Sequence, residues 1–182
     1  PTLGLIEVMD FNSQTGQCTN SKRYYSTFGK SVYGVAFSPN GQLLYYSILR
    51  NSGNGLHQLN LNTSTHQTIY FENHPDRETA SLQIGIDELI YVASDSVTAS
   101  SNFFQSHGRP FVGVISSPNT IGTSCDYDPK KIVLPTGVRC RRGLPNMSDN
   151  IAPLEMSLGN DLSVCATDYT INPNGTYDSY MW

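Results

Sequence analysis

Charge is scarce in this 182-residue chain: Lys, Arg, Asp and Glu make up only 14% of it, against about a quarter in an ordinary soluble domain. The net charge of −4 argues against a nucleic-acid or anionic-membrane partner, either of which needs a basic patch. Alanine is scarcer still, at six residues, while Ser, Thr and Asn number 51. That balance deprives helices of their best former and suits exposed strands and turns. No apolar run has the length of a membrane span, so no direct membrane crossing is expected. No signal peptide and no initiator Met precede Pro1, which reads as the start of a processed or trimmed chain. GxSxG, HExxH, a phosphate loop and a dinucleotide fingerprint are all missing. No catalytic residue, metal ligand or cofactor is therefore assigned, and the chain is read as non-enzymatic.

What is present is a series of short strand patterns separated by turn residues. Leu3 to Met9, Tyr33 to Phe37, Leu43 to Ile48, Leu56 to Leu61 and Thr68 to Phe71 predict strands. Leu82 to Ile86, Leu89 to Ala93, Phe111 to Ile115 and Ile132 to Leu134 continue the series. Ser38-Pro39-Asn40-Gly41 is a tight-turn tetrapeptide, with Pro fixing φ and Gly free to take a positive one. No stretch shows sustained helical spacing, so the expected class is all-β.

Two of these hairpins repeat. The segment from Gly34 to Ser47 overlays the segment from Ser81 to Ser94: an apolar strand, a polar turn, then Leu44-Tyr45 against Ile90-Tyr91. A repeat of about 40–50 residues holding several short strands fits one four-stranded propeller blade. Residues 1–153 then supply about three blades, fewer than a closed ring needs, and the remainder is expected upstream. From 154 to 182 the sequence changes character and reads as the first strands of a new sandwich domain, truncated at Trp182.

Four cysteines stand at 18, 125, 140 and 165. Cys125 and Cys140 enclose fourteen residues, and a disulfide between them would stabilise by about 3 kcal/mol in a chain-entropy treatment. Two free thiols are the alternative. His57, His66, His74 and His107 are scattered and read as structural or solvated. Asp126-Tyr127-Asp128 offers two carboxylates, short of a calcium cage, and reads as a solvated turn. Arg139, Arg141 and Arg142, flanked by Lys130 and Lys131, form the one basic cluster: a grip for an acidic glycan, or a solvated loop face. Asn62, Asn146 and Asn174 open Asn-x-Ser/Thr triplets.

Two segments carry a family likeness. Tyr33-Gly34-Val35-Ala36-Phe37-Ser38-Pro39-Asn40-Gly41 with Leu43-Leu44-Tyr45 resembles the blade hairpin "YGVEFSPDGKKLY". Val112-Gly113-Val114-Ile115-Ser116-Ser117-Pro118-Asn119, then Gly122, Cys125 and Arg142-Gly143-Leu144-Pro145-Asn146, resembles the closing blade "GVINNPNxxGxxC … GLPNF". Both belong to propeller-like regions of large Bacteroidota surface proteins exported by the type IX secretion system, among them gliding-motility and adhesin-like proteins. Two positions depart from the pattern: Ile86-Asp87-Glu88 replaces the usual Pro-Asp-Gly turn, and Met147 replaces an aromatic. The resemblance implies an Ig-like or PKD-like domain opening at Leu158-Gly159-Asn160-Asp161 with Cys165, and an extracellular or outer-membrane-associated protein. It also implies glycosylation at Ser96, placed by expectation in a Ser/Thr-rich loop, within Asp95-Ser96-Val97, a tripeptide such bacteria use for O-glycosylation.

The expected function is a surface adhesin-like module, serving as binding scaffold or spacer, in contact with the export machinery and with surface glycans or other surface proteins. Two other roles fit the same residues. One is a substrate or accessory subunit held on the secretion or motility machinery. The other is the non-catalytic part of a polysaccharide-degrading propeller enzyme.

Overall fold

The structure, a computed structural model, describes residues 4–26, 30–49, 53–100 and 103–144. By internal contacts the chain divides into Pro1–Asp149 and Asn150–Trp182, and everything described belongs to the first unit. The sandwich start expected over 154–182, with Cys165, Asn146, Asn174 and Met147, lies outside the described residues.

The described chain is all-β. Its strands are β1 (Leu5–Asn12), β2 (Gln17–Tyr25), β3 (Val32–Phe37), β4 (Leu43–Ile48), β5 (Gly55–Asn60) and β6 (Thr65–Phe71). After these come β7 (Arg77–Ile84), β8 (Ile90–Ser100), β9 (Phe103–Ser106), β10 (Phe111–Ile115) and β11 (Tyr127–Val133). A 3₁₀ turn at Gly122–Cys125 precedes β11. Pairing is antiparallel throughout and gives three sheets: the hairpin β1-β2, the middle sheet β3-β4-β5-β6, and the third sheet β7-β8-β10-β11 with β9 folded onto the far half of β8. Neither a closed barrel nor a closed ring forms among the described residues.

The sheets stack through two apolar layers. Leu44, Tyr46, Ile48 and Leu59 meet Ile6 and Tyr24 of the first hairpin. On the opposite face Leu43, Tyr45 and Leu56 meet Leu82, Ile90, Val92 and Ile115 of the third sheet. The middle sheet is thus covered on both faces, and all six residues of β4 are buried. This explains why β4 reads as a continuous apolar run instead of an alternating one.

The repeat seen in the sequence is repeated in the backbone. The register slips between Val32 and Val35 in β3 and, at the same repeat offset, between Thr79 and Leu82 in β7. The turns agree as well. Gly41 donates to the Ser38 carbonyl at 2.8 Å and Glu88 to the Gly85 carbonyl at 3.0 Å. Gly41 has φ 67° and Glu88 φ 62°. The substituted turn is one residue shorter, Gly85 donating to the Leu89 carbonyl where Ser38 donates to that of Leu43, but it keeps a left-handed residue at the corresponding place, here a glutamate in a region that L residues disfavour. Gly34 is required for a different reason: a Cβ there would lie 2.5 Å from the Ala80 carbonyl oxygen, where β3 runs against β7.

Strand limits differ from expectation where the sequence is polar. β2 and β9 were not expected, β7 begins at Arg77, and β11 extends back to Tyr127. Each of these stretches lacks a clear alternation of apolar and polar residues.

Candidate functional site

The disulfide expected between Cys125 and Cys140 is not formed; both are buried free thiols. Cys125 lies just before β11, near Tyr127, and Cys140 lies beyond its far end, bridged to Arg109 just ahead of β10. Seven extended residues span about 20 Å, far beyond disulfide reach. Cys125 packs among Leu43, Tyr45 and Ile115, and Cys140 with Ala80 and Ala93. Burial pushes both thiols above their ordinary range, so neither is a ready nucleophile. Cys18 is exposed.

The loop containing Pro118, Asn119, Gly122 and Cys125 is a latch between sheets. Tyr45 donates its hydroxyl to the Pro118 carbonyl at 3.0 Å. The buried Gln58 amide donates to the Tyr45 hydroxyl at 2.8 Å and to the Thr120 carbonyl at 2.9 Å. Its oxygen accepts the Gly122 N–H at 2.8 Å, and Asn119 accepts the Asn40 N–H at 3.0 Å. Gly122 has φ 71°, and a Cβ on it would meet Gln67 at 2.7 Å. The motif thus fastens one sheet to the next.

The basic cluster is split by the fold. Arg142 lies over the upper part of the third sheet, 2.7 Å from Glu78 and 3.7 Å from Asp95. Those two carboxylates are cross-strand partners, and both are fully buried. Arg109 pairs with Glu72 at 3.2 Å, with both side chains buried. Arg139, Arg141, Lys130 and Lys131 remain on the exposed surface. Isolated charges at 72, 78, 95 and 109 gave no local signal of burial, because the partners come from distant loops.

Ser96 lies within β8, opposite Arg77, and not in the loop assumed for it. Its N–H donates to the Asp95 carboxylate at 2.8 Å. His57 is fully buried and bonded to the Gly53 carbonyl at 2.8 Å and to Thr68 at 3.2 Å. Burial lowers its pKa, and that of His66. His66 lies 2.9 Å from the Tyr46 hydroxyl, and His74 caps its own turn by accepting the Asp76 N–H at 3.2 Å. His107 is exposed beside β8, its N–H bonded to the Ser96 carbonyl at 2.8 Å. Asp126 and Asp128 are exposed, and Asp128 accepts the Lys130 N–H at 2.8 Å. Among the described residues no group of three His, Cys, Asp or Glu is placed to hold a metal.

A groove of about 660 Å³ lies between the first hairpin and the turn end of the middle sheet. Met9, Asp10, Asn20 and Lys22 form one wall, and Phe37 and Asn62 the other. The hairpin wall is shaped by a register slip between Val8 and Asp10 and by Asn20 at φ 53°. Asn is among the few residues that tolerate this conformation. Its side chain donates to Asp10 at 2.7 Å, which fixes the bend. Phe37 is 47% exposed. Of these residues only Asn62 was singled out from sequence, as the start of an Asn-x-Ser/Thr triplet; the groove itself was not, because its walls meet only when the hairpin stacks on the middle sheet.

Comparison with protein-family models, curated proteins and solved structures finds no match in any of the three.

Proposed function

We propose that the chain is a non-enzymatic scaffold of an adhesin-like surface protein, its sheets being blades of a β-propeller that bind surface glycans or act as spacers. Export by the type IX secretion system, an outer-membrane-associated location and glycosylation at Ser96 belong to the same proposal, on the strength of the motif resemblance. The observation that carries the propeller reading concerns the outer face of the third sheet. There Tyr91, Val112 and Ile132 line an apolar groove of about 570 Å³. In the repeat, Tyr91 corresponds to Tyr45, which is fully buried where the middle sheet receives the third. The open face is therefore the counterpart of a face that the molecule already covers with a sheet, and a further blade of the same repeat is the occupant that matches it.

The test is adhesion and glycan-array binding by the full chain. Binding to a defined glycan supports the adhesin role, and its absence leaves the spacer role. A second reading, docking on the secretion or motility machinery, draws on the same face, where Ile86 is 77% exposed. Co-purification with outer-membrane translocon components, lost on Ile86→Asp, would favour it.

A further inference from the structure

We infer that the groove beside Phe37 is the ligand site of this scaffold and that its ligand is a short neutral saccharide. The inference rests on the glycan-binding reading above and adds to it a place and a chemistry.

A pyranose ring has an apolar C–H face and a rim of hydroxyls. It is held by an exposed aromatic ring together with planar polar groups that serve adjacent hydroxyls. The groove offers both. Phe37 is half exposed at the end of β3, and Met9, 44% exposed, stands across from it. Asp10 and Asn20 present a carboxylate and an amide already aligned by their 2.7 Å hydrogen bond, and Asn62 lies on the opposing wall. Asp10 is the sole carboxylate and Lys22 the sole ammonium in the lining. Their charges balance, which disfavours phosphate and uronate ligands and suits an uncharged one. The volume falls within the range of small-molecule sites.

The test is calorimetric titration of the full chain with chitotriose, mannotriose and a β-galactotriose, with trigalacturonate as the charged control. One neutral trisaccharide is expected to bind and trigalacturonate not to bind. Phe37→Ala should weaken that binding about tenfold or more, and Asn62→Ala several-fold, as expected for one lost stacking or hydrogen-bonding partner. Asn20→Gly removes the amide and its hydrogen bond to Asp10 while glycine adopts the left-handed conformation without strain. It should weaken binding in a chain that still melts cooperatively, which keeps the test valid if Phe37→Ala fails to fold. A neutral saccharide bound equally by all three variants would overturn the groove assignment alone. Preference for trigalacturonate would overturn the neutral class. No binding of any sugar up to millimolar concentration would overturn both this assignment and the glycan-binding reading.

Discussion

The middle and third sheets are built on one repeat but are held by different forces. The middle sheet is covered on both faces and fixed by uncharged groups: Tyr45, Gln58 and His57 are buried and hydrogen-bonded. The third sheet is covered on its inner face by the middle sheet. Over the upper part of its outer face runs the segment around Cys140 and Arg142, anchored by ion pairs. The same offset that places Gly34 against β7 places Ser81 under that segment, where its N–H donates to the Arg142 carbonyl at 3.0 Å. A common backbone plan thus accommodates two kinds of cover, with side chains adapted to what lies above.

The sharpest way to break this comparison is to remove the charge that the third sheet depends on. Arg142→Met removes the guanidinium 2.7 Å from the buried Glu78 and 3.7 Å from the buried Asp95 and should cost about 3–5 kcal/mol in urea unfolding. Adding Glu78→Gln and Asp95→Asn should restore much of the loss. If Arg142→Met alone is neutral, the ion pairs do not hold the segment.

The corresponding cut in the middle sheet is smaller. Tyr45→Phe strips the hydroxyl from the Gln58 and Pro118 network and should cost about 1–3 kcal/mol. Combined with Arg142→Met, its effect should be nearly additive, because the two networks share no residue.

Neutral histidines give the middle sheet its own pH response. Burial holds His57 and His66 below the ordinary 6.5 when folded, so the unfolded chain takes up protons first as pH falls. Their contribution is complete above about pH 6.5 and is lost between that value and the depressed folded one. Thermal melts from neutral pH down to about pH 5 should show a falling midpoint. His57→Gln should flatten that fall, and an unchanged slope would remove His57 as its source.

The smallest effect distinguishes the two turns. Glu88→Gly relieves a left-handed glutamate and should gain about 0.5–1 kcal/mol, the relief exceeding the entropy added to the unfolded chain. Gly41→Ala, at the matching position, should lose a similar amount. Equal responses at the two positions would show that the turns are not equivalent.

The hairpins at Val32–Ile48 and Leu82–Ala93 were largely legible in the sequence, because alternation is a local signal in both and the Pro-Asn-Gly turn is another in the first. β2 was not, since eight of its nine residues are exposed and its pairing depends on β1 alone. The cysteine pairing failed because spacing counts residues and takes no account of the extended strand between them. The groove stayed hidden for a related reason: Asp10, Asn20, Phe37 and Asn62 come from different strands and turns.

By itself the sequence determined the strand class, the repeated hairpin and its turn, because period-two patterning and φ preferences act over a few neighbouring residues. Only the tertiary structure decided which faces are covered, which charges are buried and where a ligand can enter. Those outcomes depend on stacking between sheets, where burial and pairing energies are set by residues far apart in the chain.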